Sequence, residues 1–99
     1  MKYTIYKTEE YEKWYDAETI KSQVQIEKRL SKIETDGHFG VHKDVSEYVW
    51  ELKWKNGRRV YYAYIPKKNI LLLLGGNKNG QNKDIKQAKK ILSKSTEES

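Results

Sequence analysis

Cysteine is absent from the 99 residues, which excludes a disulfide scaffold, thiol catalysis and a cysteine zinc site together. Long aliphatic runs are missing too: the longest is Ile70 to Leu74, too short to span a bilayer. The start, Met1-Lys2-Tyr3-Thr4, holds no apolar signal region, so a soluble cytoplasmic domain is expected. Apolar residues are sparse at 36%. Three Trp, eight Tyr and one Phe offset that sparseness, because each ring buries a large area. A disordered chain is therefore not expected, and residues 1–99 read as one domain with a flexible tail from about 94 to 99.

Acidic residues are scarce in the second half, where Asp84 and the tail pair Glu97 and Glu98, which bring −2, are all there are. Residues 52–96 hold twelve basic side chains and one acid, Asp84, a balance of +11 within a chain whose net charge is +6. Residues 1–51 balance at −3. A one-signed half on a small domain creates a field that binds polyanions, either nucleic acid or an acidic protein partner. A lysine-rich surface that serves solubility alone is the bland alternative.

The element order reads βααβββα, an α+β domain with a mainly antiparallel four-stranded sheet packed by helices. Lys2 to Lys7 alternates as a strand. Thr8 caps a helix with Glu9 and Glu10 in its first turn and Tyr11, Trp14 and Tyr15 on one face. A second helix runs from about Ala17 to Thr35, with Ile20, Val24, Ile26, Leu30 and Ile33 over half its circumference, broad enough to pack on sheet and neighbouring helix. Two strands flank Asn56-Gly57. Ile70 to Leu74 is apolar on both faces, as an interior strand should be, after a turn at Pro66-Lys67-Lys68. A basic helix closes the order from about Lys83 to Ser93, with Ile85, Ala88, Ile91 and Leu92 inward.

Hairpin register selects a face. A two-residue Asn-Gly turn would set Trp54 opposite Arg59 and mix charge with core residues on both faces. A three-residue loop, Lys55-Asn56-Gly57, with Gly57 left-handed, shifts the pairing by one. Leu52 then faces Val60, Trp50 faces Tyr62 and Tyr48 faces Tyr64, all apolar or aromatic. Glu51, Lys53, Arg59 and Tyr61 share the other face. Lys53 opposite Arg59 is a like-charge pair, which costs stability unless an anion lies across both. Arg59 suits a bidentate phosphate grip, with Lys53 as a point charge. Alternatively, Glu51 pairs with both cations and nothing binds.

Four stretches resemble the RelE/ParE superfamily of type II toxin–antitoxin toxins, nearest its HigB-like addiction module killer branch. They are Tyr11-Glu12-Lys13-Trp14, Gly37 through Lys43, Glu51-Leu52-Lys53 with Gly57 through Ala63, and Leu72 through Lys78 with Gln81, Asp84-Ile85 and Ala88-Lys89. The resemblance implies a RelE-like, microbial RNase-like fold and a ribosome-dependent mRNA endoribonuclease. In that reaction a ribose 2′-hydroxyl attacks the adjacent phosphate with no metal or cofactor. By position Arg59 matches the family's phosphate-contacting arginine, and Lys78 a second basic residue past the last strand. Lys53 and Asp84 complete the catalytic candidates. Lys55, Arg58, Tyr61, Gln81 and Lys83 are candidates for RNA contact, and Glu51 and His42 for a general base. Asn77 stands where the branch usually has Asp, Asp84 where RelE-like members often have Tyr, and Trp50 and Leu52 where they carry lysines.

The implied partners are a cognate antitoxin with an acidic or helix-turn-helix segment, mRNA with the 70S ribosome, and operator DNA for the toxin–antitoxin complex. Two other readings share the fold: a ParE-like gyrase poison without nuclease activity, and an inactive homologue that only binds its antitoxin.

Overall fold

The structure, a computed structural model, describes residues 2–97. Strand β1 (Thr4–Lys7) leads into helices α1 (Glu9–Asp16) and α2 (Ile20–Asp36). Strands β2 (His42–Ser46), β3 (Val49–Lys53), β4 (Arg58–Ile65) and β5 (Asn69–Asn77) follow, then a 3-10 turn (Lys78–Gly80) and α3 (Gln81–Glu97). The sheet has five strands in the order β1-β5-β4-β3-β2, with β1 parallel to β5 and every other pair antiparallel. The α+β class and the mainly antiparallel sheet are as expected, but there is one more strand. The chain reverses at Glu47-Tyr48, where Tyr48 takes φ 62 without the Gly or Asn that advertises such a turn. Tyr48 therefore does not face Tyr64 but points to solvent, and Trp50 meets Tyr64 edge-on at 5.4 Å.

Local chemistry explains the helix ends. Thr8 Oγ1 accepts from the Tyr11 N–H (3.1 Å) and shares its one proton between the Leu72 and Leu73 carbonyls, so one hydroxyl caps α1 and ties it to β5. Helix α2 starts at Ile20 rather than Ala17, because Ala17 and Glu18 spend their N–H groups on Trp14 and Tyr15 while Thr19 caps. It ends at Gly37, left-handed at φ 70. Helix α3 is longer than the sequence suggests at both ends, from Gln81 to Glu97. It thus takes in most of the expected tail, and 98–99 lie outside the described residues.

Two cores sandwich the sheet. Under α1 and α2 lie Tyr11, Ile26, Leu30, Ile33, Phe39, Leu52, Val60, Tyr62, Ile70 and Leu72. Under α3 lie Val49, Tyr61, Ala63, Leu73, Ala88 and Ile91. The apolar face foreseen for α2 is narrower in packing: Ile26, Leu30 and Ile33 are buried, but Ile20 is 80% and Val24 61% exposed. The hairpin register is as derived, with Lys53 opposite Arg59, Glu51 opposite Tyr61, Leu52 opposite Val60 and Trp50 opposite Tyr62. Gly57, at φ 101, gives its N–H to the Trp54 carbonyl and closes the three-residue loop.

Candidate functional site

At one end of the sheet the β3–β4 hairpin, the last residues of β5, the 3-10 turn and the start of α3 converge. Two pairings fix this corner: Lys78 donates its N–H to the Gly57 carbonyl at 2.8 Å, and Arg59 stands opposite Gly76 on β5. The Lys78 stem lies along Gly57, with its ammonium exposed.

Arg59 is only 8% exposed, and its Nη1 donates to the Arg58 carbonyl at 3.0 Å. Its Nε lies 3.7 Å from Glu51 Oε1, too long for a hydrogen bond, and neither atom has another hydrogen-bond partner. Glu51 is fully buried and accepts from Gln81 Nε2 at 2.7 Å, a link from α3 to β3. The Tyr61 hydroxyl is also buried without a hydrogen-bond partner. Burial and the neighbouring Glu51 carboxylate push its pKa up, so it stays neutral.

Asp84 occupies a seat made by two glycines. A Cβ at Gly76 would meet its Oδ2 at 2.1 Å, and one at Gly80 at 3.2 Å. Since Gly76 pairs with Arg59, this carboxylate sits beside the arginine's strand position. Desolvation raises the Asp84 pKa, and Lys83 pulls it partly back. Lys53, Lys55, Lys78 and Lys83 ring the corner, with Lys53 half-buried and the others exposed.

Nine of the eleven sequence candidates therefore gather here: Arg59, Lys78, Asp84, Lys53, Lys55, Tyr61, Gln81, Lys83 and Glu51. Glu51 and Tyr61 lie beneath the surface, so they act on Arg59 rather than touch a ligand. Two candidates are elsewhere. Arg58 alternates to the α2 side of the sheet, where it donates to Gln25 Oε1 (3.0 Å) and lies 5.5 Å over the Trp54 ring. His42 faces that side too, stacked between Phe39 and Trp50 with Nδ1 2.9 Å from the Tyr62 hydroxyl. The sheet separates His42 from Arg59. Sequence reasoning missed Lys43, which stands opposite Glu51 on the α3 side of β2. Alternation from Lys43 to Val45 carried the signal, but the unrecognised turn at Tyr48 hid the strand.

Residues 12–95 match the family described as Phage derived protein Gp49-like. An uncharacterized protein of Haemophilus influenzae is 36% identical over 73 residues, 71% of this chain and 72% of that one. Among solved structures, a mutant of the E. coli toxin RelE in the free state superposes with TM-score 0.72 at 18% identity, over 92% of this chain and 99% of that chain. The intact E. coli RelBE toxin–antitoxin complex matches with TM-score 0.60 at 16% identity, over 76% of this chain and 95% of that chain.

Proposed function

Because this chain belongs to the Gp49-like family of phage-derived proteins and carries the RelE fold, we propose that it is the toxin of a type II toxin–antitoxin module. Its action is ribosome-dependent cleavage of mRNA. One observation carries this reading: the Arg59 guanidinium, set beside the buried Glu51, and the Asp84 carboxylate, seated between Gly76 and Gly80 with its pKa raised, share one sheet corner among lysines. The half-exposed Asp84 takes the proton from a ribose 2′-hydroxyl. The 2′-oxygen attacks the adjacent phosphorus, the P–O5′ bond breaks, and a protonated lysine such as Lys78 supplies the proton to the leaving 5′-oxygen. The products are a 2′,3′-cyclic phosphate and a 5′-hydroxyl. Arg59 and Lys53 offset the charge that builds on the phosphorane.

Each of these effects is modest. A positioned general base gives roughly 10²–10⁴-fold, and one aimed donor ~10²–10³-fold. Activity on free RNA should therefore be weak, with the ribosome supplying substrate orientation. An antitoxin with an acidic segment would neutralise the same corner, in keeping with the complexed state of the RelBE neighbour.

The test is primer extension on a reporter mRNA in a purified translation system, with wild type, Asp84→Asn and Arg59→Lys, and with ribosome-free RNA alongside. Cleavage that needs ribosomes and drops at least ~10²-fold in both variants supports the reading. Intact message with accumulated gyrase-linked DNA breaks would replace it with a gyrase poison. Intact message and intact DNA would leave an antitoxin-binding homologue.

A further inference from the structure

On the α2 side of the hairpin lies a cleft of about 350 Å³, which shares Lys53 and Lys55 at the hairpin end with the Arg59 corner and is otherwise made of residues the proposed chemistry does not use. One wall is a stripe of α2 at helical spacing: Gln25, Lys28, Arg29 and Lys32. The loop at Phe39–Val41 and the end of the hairpin, with Trp54 and Lys55, complete it. Every Lys and Arg lining it adds positive charge, no carboxylate lines it, and His38 stands at its edge. Among the described residues, Lys28, Lys32, Lys53 and Lys55 make no ion pair.

Arg29 builds the cleft. Its guanidinium donates to the carbonyls of Phe39, Val41 and Lys53 and lies 4.4 Å over the Trp54 ring. The positive charge is thus held by backbone dipoles and an aromatic face, with no carboxylate to cancel it. The Val41 carbonyl already accepts from both Arg29 and the Lys53 N–H, so an extended peptide would find no free acceptor there, which argues against a protein strand as occupant. Lys28 and Lys32, one turn apart, are ~6 Å apart along the helix axis, comparable with the step between neighbouring phosphates of a single strand. The hairpin that walls the cleft carries Arg59 on its other side.

We infer that this cleft is a second phosphate-binding site, which holds the RNA backbone away from the scissile bond and sets affinity rather than the chemical step. The inference rests on the RNA-cleaving reading for its ligand. Its test is separate: fluorescence anisotropy of a labelled single-stranded RNA oligonucleotide titrated with the full chain from ~50 to ~200 mM salt. Lys28→Gln/Lys32→Gln should weaken binding about tenfold at low salt and flatten the log–log salt slope by ~1.4, two phosphates at ~0.7 each. Lys86→Gln/Lys90→Gln on the exposed face of α3 removes the same charge and should change the slope much less. Equal losses in the two double variants, or none in the first, would overturn the site. So would a poly-glutamate peptide that loses binding in the first variant while RNA does not, since that outcome assigns the cleft to an acidic protein. RNA binding that depends on Lys28 and Lys32 without any ribosomal cleavage would leave the cleft standing and reject the nuclease.

Discussion

Arg58 and Arg59 are adjacent on β4 and almost equally covered, at 9% and 8% exposure, yet strand alternation sends them to opposite sides of the sheet. Arg58 meets Gln25, the Trp54 ring and, at 4.0 Å, a partly exposed Glu18. Arg59 meets a fully buried Glu51. One guanidinium is packed as a flat amphipathic plate whose partners are neutral or half-wet. The other is held against a carboxylate that has no route to water. The same residue type at the same depth therefore stands in different electrostatic relations, decided by which face of the strand it occupies.

The sharpest way to break the comparison is to remove each arginine in turn. Arg59→Ala should lower cleavage by ~10²–10³-fold. It should also destabilise the fold by about 3–5 kcal/mol, because Glu51 would remain buried without its cation. Arg58→Ala should cost about 1–2 kcal/mol, from lost ring packing and one hydrogen bond, and leave the chemical step intact. Denaturant titration gives both stabilities. Equal losses for the two would show that the buried carboxylate adds nothing. A Glu51→Gln/Arg59→Ala double variant should recover part of the larger loss, since no orphaned charge then remains.

A smaller effect separates the seat of Asp84 from its charge. Gly76→Ala would place a Cβ 2.1 Å from Asp84 Oδ2. The carboxylate must swing away, at an overpacking cost of ~1–3 kcal/mol. We expect cleavage to fall toward the Asp84→Asn level while the protein still folds, as judged by its circular dichroism and its antitoxin binding. Retention of full cleavage in Gly76→Ala would mean that the carboxylate's position is immaterial.

Alternation made much of this corner legible. Leu52, Val60 and Tyr62 had to share a face, and this forced the three-residue loop and put Glu51, Lys53, Arg59 and Tyr61 together. The same pattern could not say which face α3 would cover, so Glu51 and Tyr61 read as surface neighbours of a phosphate when both are fully buried. Burial depends on the long-range docking of α3, and nothing local in β3 or β4 encodes it. His42 was misread for a related reason. As a general-base candidate it needed an open position beside Arg59, but β2 continues the sheet and sets the ring into the Phe39–Trp50 stack.

The smallest predicted effect concerns that stacked imidazole and contrasts the two faces by pH. Desolvation first, and then the Arg29 charge, lower the His42 pKa below its usual value. Below the ordinary histidine range of about 6.5, the unfolded chain takes up a proton that the folded chain resists. Stability from this group is therefore present above that range and declines as pH falls through it. His42→Gln should flatten the stability profile on the acid side. Asp84 acts in the opposite sense: its raised pKa makes the folded carboxyl easier to protonate, so its contribution weakens as pH rises through the carboxylate range. The acid limb of the cleavage profile should follow Asp84 and not His42, rising with the deprotonation of Asp84, because the sheet stands between His42 and Arg59. A His42→Gln variant that shifts the cleavage profile as Asp84→Asn does would put the base on the α2 side and undo the division of labour between the two faces.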